Sequence, residues 1–416
     1  MVRTGKRVVI TGLGIVSANG IGIDPFWKSL KEGKSGIKKV GSLNARQFNA
    51  QLAGEVADFH LDQFIESKGL RNLSKSSCFV LGAARMALDD ARVDRNENGC
   101  RETGLVIGTY WGSLHNMCQI DQTLITEGVN GILPSFFLNV LFNIPASQGS
   151  IKLKMTSLNT TLSSGFPSGL NAIGYGYDMI RRGRVDRCLA GGVEEFCIEL
   201  HQWMSILEML SGTRNGVREF CAPFDVDRNG IILGEGGAIL MLEEYEAARK
   251  RGARIYAEII GYGSVFETCV MDRFLPKKKG VKRAIETALV DAGIGFEGID
   301  YVCAHANSEV TTDKVEAEAL QDFMATGRRD IPVSSIKSMT GECFGASGPL
   351  QIATGVMAMK EDLIPPTVNF TAADPGISLN IVSDLNVTQK VESVLVNSFD
   401  NNNYSSVIIQ NYSDES

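Results

Sequence analysis

Short apolar runs rich in β-branched residues alternate along the chain with longer stretches whose apolar positions recur every three or four residues. Lys6–Thr11 (KRVVIT) reads as a buried strand. Similar runs follow at Gly104–Ile107, Arg187–Ala190, Ala238–Leu242, Tyr301–Ala304, Val394–Asn397 and Ser406–Gln410. Ser77–Asp90 has a helical pattern, with Phe79, Ala83, Met86 and Leu88 on a face rich in small residues. Leu170–Arg182 and Val281–Ala292 are also helical, and Gly293 is placed to close the second. Strands alternating with helices predict an α/β architecture. At 416 residues the chain holds two core units or one duplicated fold. No Pro- or Ser-rich linker divides it, and the halves are expected at 1–252 and 253–416, with a seam near Lys250–Arg254. Two helix starts resemble each other, Ser164–Gly169 in the first half and Gly345–Gly348 in the second, which hints at duplication. The polar tail Asn411–Ser416 is expected to fray.

Composition narrows the function classes. The net charge is −7, with no basic tract or aromatic-basic stripe, so no nucleic-acid partner is expected. Nine cysteines (Cys78, Cys100, Cys118, Cys188, Cys197, Cys221, Cys269, Cys303, Cys343) form no C-x-x-C pair and read as reduced thiols in a cytoplasmic protein. His60, His115, His201 and His305 lack ligand spacing, so no metal is expected. No run approaches the ~18–20 apolar residues of a membrane span, and the N-terminus enters a strand pattern directly, without a signal-peptide stretch.

One motif is discounted. Gly12-Leu-Gly14-Ile-Val-Ser17 follows a strand and nearly matches G-x-G-x-x-G, but the third glycine is missing and loop-like residues follow. It reads as a tight turn leaving the strand. A nicotinamide enzyme is rejected with it, and no cofactor is expected.

Several segments, in order and over nearly the whole chain, carry a family likeness. They are RVVITGLGIVSANG at the start, Pro223–Gly230 (PFDVDRNG) with Leu233–Gly236 (LGEG), Leu242–Gly263, Asp313–Glu316, Lys337–Gly341 (KSMTG) and Ile364–Phe370 (IPPTVNF). Together they resemble the β-ketoacyl-acyl carrier protein synthases of the thiolase superfamily. The resemblance implies a duplicated thiolase-like, five-layered α/β/α/β/α fold that dimerises.

It also shows what is missing. In that family the attacking cysteine stands at a helix N-terminus, three residues before the glycine of S-G-x-x-x-I-G, where the dipole favours the thiolate. Here the run is Ser168–Gly174, and the cysteine's place is held by Phe166, which cannot attack a thioester. Of the family's two histidines the first matches His305, while Glu342 replaces the second, directly after KSMTG. A carboxylate there would repel a developing enolate. The family's G-F-G-G loop, which follows N-S-F and helps form the oxyanion hole, is replaced after Asn397–Phe399 by Asp400, Asn401, Asn402 and Asn403. Lys337, Asp313 and Glu316 match the family. With the chemistry gone they are expected to form a buried ion-pair network holding two loops, and His305 to be a satisfied core histidine.

This pattern is similar to the chain-length factors, or ketosynthase β subunits, of type II polyketide systems. The resemblance implies a non-catalytic subunit that pairs with an active ketosynthase, in a heterodimer or higher assembly. It would help set polyketide or polyene chain length at the interface tunnel, with acyl carrier protein delivering the growing chain. The departure is phenylalanine at position 166, where the best-known chain-length factors have the glutamine linked to malonyl decarboxylation. Gap-free matching of Gly112–Gln122 puts the tunnel gate at Leu114 and Met117, with Ile120 or Asp121 one turn on, all on one helix face. Plain interface packing is the competing role for that face. Tyr110 and Trp111 are either interface anchors or core. Phe166 either fills the vacated pocket or excludes acyl chains from it. Two other functions stay open: an acyltransferase or decarboxylase with its nucleophile relocated to Ser164, and a purely structural or storage role.

Overall fold

The computed structural model describes residues 5–41, 48–66, 73–94, 100–133, 139–213, 217–268, 275–327 and 330–412. Cys269 and the end of the polar tail, 413–416, lie outside the described residues. The first half supplies strands β1 (Val8–Ser17), β2 (Gly104–Gly108), β3 (Asn159–Leu162), β4 (Arg187–Glu194) and β5 (Gly236–Glu244). Its helices are α1 (Lys75–Asp90), α2 (Leu114–Glu127), α3 (Ile144–Leu153), α4 (Ser168–Arg181) and α5 (Ile198–Ile206). The second half supplies β6 (Ala257–Phe266), β7 (Tyr301–Cys303), β8 (Pro332–Ser334), β9 (Ser393–Phe399) and β10 (Asn403–Asn411), with helices α6 (Lys278–Ala292), α7 (Val310–Thr326) and α8 (Ser347–Glu361). Every expected strand and helix overlaps one of these, and Gly293 closes α6 in the left-handed conformation.

The two halves repeat one topology. The strands lie in the order β3-β2-β4-β5-β1 and then, mirrored in chain number, β6-β10-β9-β7-β8. Within each half the inner pairs (β3/β2 and β2/β4, β8/β7 and β7/β9) are parallel, and the pairs leading to the first strand are antiparallel. The halves join where β1 runs antiparallel to β6, Val8 opposite Ile259 and Ile10 opposite Ala257. An antiparallel pair of equivalent strands is what a local two-fold relation produces. Helices α1 and α3 cover one sheet face and α6 and α7 the corresponding face of the other half, while α4 and α8 lie between and touch both. This is the duplicated α/β/α/β/α arrangement. Within the middle layer every residue from Ser347 to Met359 of α8 is buried.

The Gly12–Gly14 motif is not a turn, which corrects the sequence reading. Both glycines lie inside β1, which runs on to Ser17. They let α1 come close: a Cβ on Gly12 would lie 2.3 Å from the Ala87 carbonyl oxygen, and one on Gly14 1.8 Å from that of Ala83. The second half repeats the device. Gly261 and Gly263 of β6 would meet the carbonyls of Ala288 and Ala284 at 2.3 and 2.2 Å. A register shift precedes each pair, after Ile10 in β1 and after Ile259 in β6.

A Gly14→Ala substitution should therefore destabilise by about 1–3 kcal/mol or more through overpacking. Gly293→Ala meets no atom within 4 Å and bears only the left-handed backbone cost, about 1–2 kcal/mol. Denaturant midpoints of the two variants test this; equal losses would contradict the close helix–strand contact.

Candidate functional site

Strand β3 ends at Leu162, and the chain turns through Ser163–Pro167 into α4. Gly165 takes φ +74°, and the turn is closed on itself: the Ser164 N–H donates to Ser168 Oγ (2.9 Å), whose hydroxyl donates to the Gly165 carbonyl (2.5 Å). The start of α8 abuts the start of α4. A Cβ on Gly169 would lie 2.0 Å from the Gly345 carbonyl oxygen, and one on Gly192 1.9 Å from it. The two helix starts that resemble each other in sequence thus meet at the floor of one pocket.

Phe166 fills that pocket. Its ring meets Phe344 edge-on with centroids 4.8 Å apart, and Tyr110 and His305 at 5.7 and 5.9 Å. Tyr110 packs on Trp111 (4.4 Å), and Trp111 meets the half-exposed Trp203 of α5 edge-on at 5.1 Å. Tyr110, Trp111, Leu114 and Phe166 all lie against one apolar cluster with Phe196, Leu200 and Phe344. Tyr110 and Trp111 therefore contribute to the core of this chain.

Behind the rings lies a buried polar group. Lys337 Nζ donates to Glu342 Oε2 (2.7 Å) and to His305 Nδ1 (2.9 Å). Glu342 also accepts from Asn307 Nδ2 (2.9 Å), the Phe344 N–H (2.9 Å) and Ser347 Oγ (2.7 Å). Since Lys337 only donates, His305 Nδ1 is the acceptor and Nε2 carries the proton. Burial and the Lys337 charge push the His305 pKa well below the ordinary histidine value, so the ring is neutral. Its Nε2 is buried with no partner among the described residues, which corrects the expectation of a satisfied histidine.

The expected ion-pair network is also corrected. Asp313 and Glu316 of α7 do not bond to Lys337. Asp313 accepts the backbone N–H of Phe224 (2.8 Å), Asn307 (2.8 Å) and Ser308 (3.2 Å), with Arg228 at 3.7 Å. Glu316 accepts the N–H of His305 (2.9 Å) and Ala306 (2.7 Å) and Nδ2 of Asn397 (3.1 Å). The two carboxylates hold the His305–Ser308 loop by its peptide groups. Burial raises both, Asp313 to about 7.

Asp400–Asn403 form the tight turn of the β9–β10 hairpin, closed by the Asp400 N–H donating to the Asn403 carbonyl (2.9 Å). Ser164 does not have the surroundings of a nucleophile. Its hydroxyl accepts from Asn171 Nδ2 (2.7 Å), and among the described residues no imidazole or carboxylate contacts it. The gate positions divide: Leu114 packs inward, Met117 and Asp121 are exposed, and Ile120 lines a groove of about 380 Å³ with Gln119, Thr123 and Leu133. One buried residue escaped the sequence reading. Glu194, at the end of β4, accepts from the N–H groups of Tyr110 (2.9 Å), Trp111 (2.9 Å) and Gly345 (3.2 Å) and from Thr109 Oγ1 (3.1 Å), and burial raises it to about 7. It ties the Tyr110–Trp111 loop to the start of α8.

Comparison with known proteins places the chain in a family. Residues 5–248 match the β-ketoacyl synthase N-terminal domain and 256–371 the C-terminal domain. The 3-oxoacyl-[acyl-carrier-protein] synthase 2 of Coxiella burnetii is 34% identical over 395 residues, 95% of each chain. That of Vibrio cholerae is 33% identical over 399 residues, 95% of this chain and 96% of the other. Among solved structures, the ishigamide ketosynthase/chain length factor superposes with a TM-score of 0.91 at 31% identity, covering 99% of this chain and all of that one. A type II polyketide synthase ketosynthase in complex with its acyl-carrier protein gives 0.87 at 28% identity, covering 98% and 100%. The chain belongs to the β-ketoacyl synthase family.

Proposed function

We propose that this chain is a non-catalytic chain-length factor that pairs with an active ketosynthase and helps close the interface tunnel in which a polyketide or polyene chain grows. The observation that carries the reading is the filled pocket. The Phe166 ring occupies the helix start where a nucleophile would stand, against Phe344 and Tyr110. Glu342, in place of a hydrogen-bond donor, is consumed by Lys337, Asn307 and the start of α8. The curated relatives named above are called synthases, and the reading rests on where this chain departs from that chemistry.

A partner surface is available. Helix α2 buries none of its residues fully, and Met117, Leu124, Ile125, Val129 and Leu133 are exposed beside Trp203 and Ile206 of α5. Among the described residues strand β3 ends the sheet with an open edge, a ready template for pairing. An acyl carrier protein is the expected donor of the growing chain, in keeping with the complex among the structural neighbours. The division at 1–252 and 253–416 is proposed as the boundary of the two ketosynthase-like halves. All eight described cysteines are free, in keeping with the proposed cytoplasmic location. No helix among the described residues is long and apolar enough to cross a membrane.

Co-expression with a ketosynthase encoded beside it should give a stable heterodimer that makes product, while the chain alone shows no condensation activity. A stable homodimer with no affinity for that ketosynthase would sink the proposal. In the reconstituted pair, Met117→Trp should shorten the product, read by mass spectrometry. Met117 is 42% exposed, so the larger ring costs this chain little packing. Unchanged product length would leave α2 with interface packing alone.

The polar group behind Phe166 is proposed to be structural. Glu342→Ala strands the Lys337 charge and should cost about 3–5 kcal/mol. Lys337→Met with Glu342→Leu removes both charges and should cost less. Melting curves of the two variants decide, and an unchanged midpoint for Glu342→Ala would mean the pair holds nothing.

A further inference from the structure

The turn that replaces the glycine loop also brings a charge. Asp400 Oδ1 accepts the N–H groups of Asn402 and Asn403, both at 2.8 Å. Oδ2 accepts from Asn403 Nδ2 at 3.3 Å and also lies against the turn before α4. A Cβ on Gly165 would lie only 1.6 Å from it. The Phe166 N–H is among the groups that hold down the pKa of the same carboxylate. The Asp400 carboxylate therefore lies on the peptide that leads into α4, at the positive end of a helix of 14 residues. Burial raises its pKa, and the N–H groups of Asn403, Asn402 and Phe166 oppose the rise. Its charge is also felt by Tyr110, whose pKa is raised by burial first and by Asp400 next.

A backbone N–H at a helix start is the group a thioester carbonyl needs as negative charge builds on its oxygen. Here a carboxylate lies against the turn that carries that N–H. We infer that the Asp400 carboxylate is an internal anion occupying the oxyanion position of this chain's own pocket, a second lock that acts independently of the missing nucleophile. A carbonyl oxygen entering there would meet a neighbouring carboxylate in place of a free donor. A thiol restored at position 166 would have its thiolate disfavoured by the same charge.

A purely structural role makes a different prediction. If Asp400 only closes the hairpin, its charge is irrelevant, because the two turn contacts need an acceptor oxygen and not an anion. Asp400→Asn keeps that acceptor and removes the charge. The experiment uses the full chain with Phe166→Cys, with and without Asp400→Asn. It follows alkylation by iodoacetamide against pH, read by mass spectrometry on the peptide carrying position 166, so that the native cysteines do not interfere. The introduced thiol should titrate at least about one pKa unit lower, and react about tenfold faster near neutral pH, once the carboxylate is gone. Equal titration with and without Asp400, or faster reaction with it present, would overturn the inference. If Asn at position 400 lowers the melting temperature, Asp400→Ser keeps a hydroxyl acceptor for the turn and gives the same comparison. The inference goes beyond the partner role and fails separately from it: equal thiols in a chain that still assembles with a ketosynthase would remove only the lock.

Discussion

The carbonyl oxygen of Gly345 sits in a slot that only glycines can line. With side chains at Gly169 or Gly192 it would have a carbon within 2.0 Å. This steric constraint seats the start of α8 on the start of α4 and on the end of β4, and so joins the duplicated halves at one point. The pocket is built outward from there. Phe344, one residue earlier, is turned onto Phe166. Glu342, two residues before that, reaches Lys337. The Gly345 N–H donates to Glu194, which holds Tyr110 and Trp111 over the same space. Moving α8 outward would undo all of these contacts together.

The charges around the pocket show how burial alone perturbs ionisation. Buried carboxylates with raised pKa values commonly mark catalytic groups. Here Glu194 and Asp313 are raised to about 7, yet their oxygens are engaged by peptide N–H groups and a hydroxyl. Their folded-state pKa values exceed the unfolded ones. Each therefore supports folding at low pH and loses that contribution as pH rises from the ordinary carboxylate range through about 7. The perturbation follows from burial, and what decides function is whether a group still has an oxygen or nitrogen free to face a substrate. Among the described residues His305 Nε2 meets that condition, and the Phe166 ring centroid lies 5.9 Å from that of the imidazole.

Much of the fold was legible because buried strands and helices leave periodic apolar patterns. The elements that escaped are those whose burial or length leaves no such pattern. Asn159–Leu162 is a polar, half-exposed end strand, and Pro332–Ser334 is three residues long. Gly12 and Gly14 were misread because a glycine that admits a helix and a glycine that makes a turn look alike in one dimension; the repeat at Gly261 and Gly263 is what separates the two readings. At the site, the positions were legible and the partners were not. Phe166, Glu342 and Asp400 stood out as departures from a pattern, but pairing Lys337 with Glu342, 5 residues apart, and Asp313 with peptide groups required three-dimensional proximity. Glu194 escaped altogether, since a lone glutamate ending an apolar strand carries no spacing signal.

Simple decay of an enzyme predicts something other than what this pocket contains. Losing a cysteine, a histidine and a glycine loop independently would leave a void and stranded charges, each with its own cost. Instead the changes answer one another. The ring at Phe166 takes up volume against Phe344, the carboxylate at Glu342 neutralises Lys337, and Asp400 lies against the turn at Gly165 that leads into Phe166. Placing the family's side chain at one position would unbalance its neighbour: a cysteine at position 166 would lie near a carboxylate, and a histidine at position 342 would leave Lys337 without its anion. These side chains behave as a set that stabilises a closed pocket, and the closed pocket is what the proposed partnership with an active ketosynthase rests on.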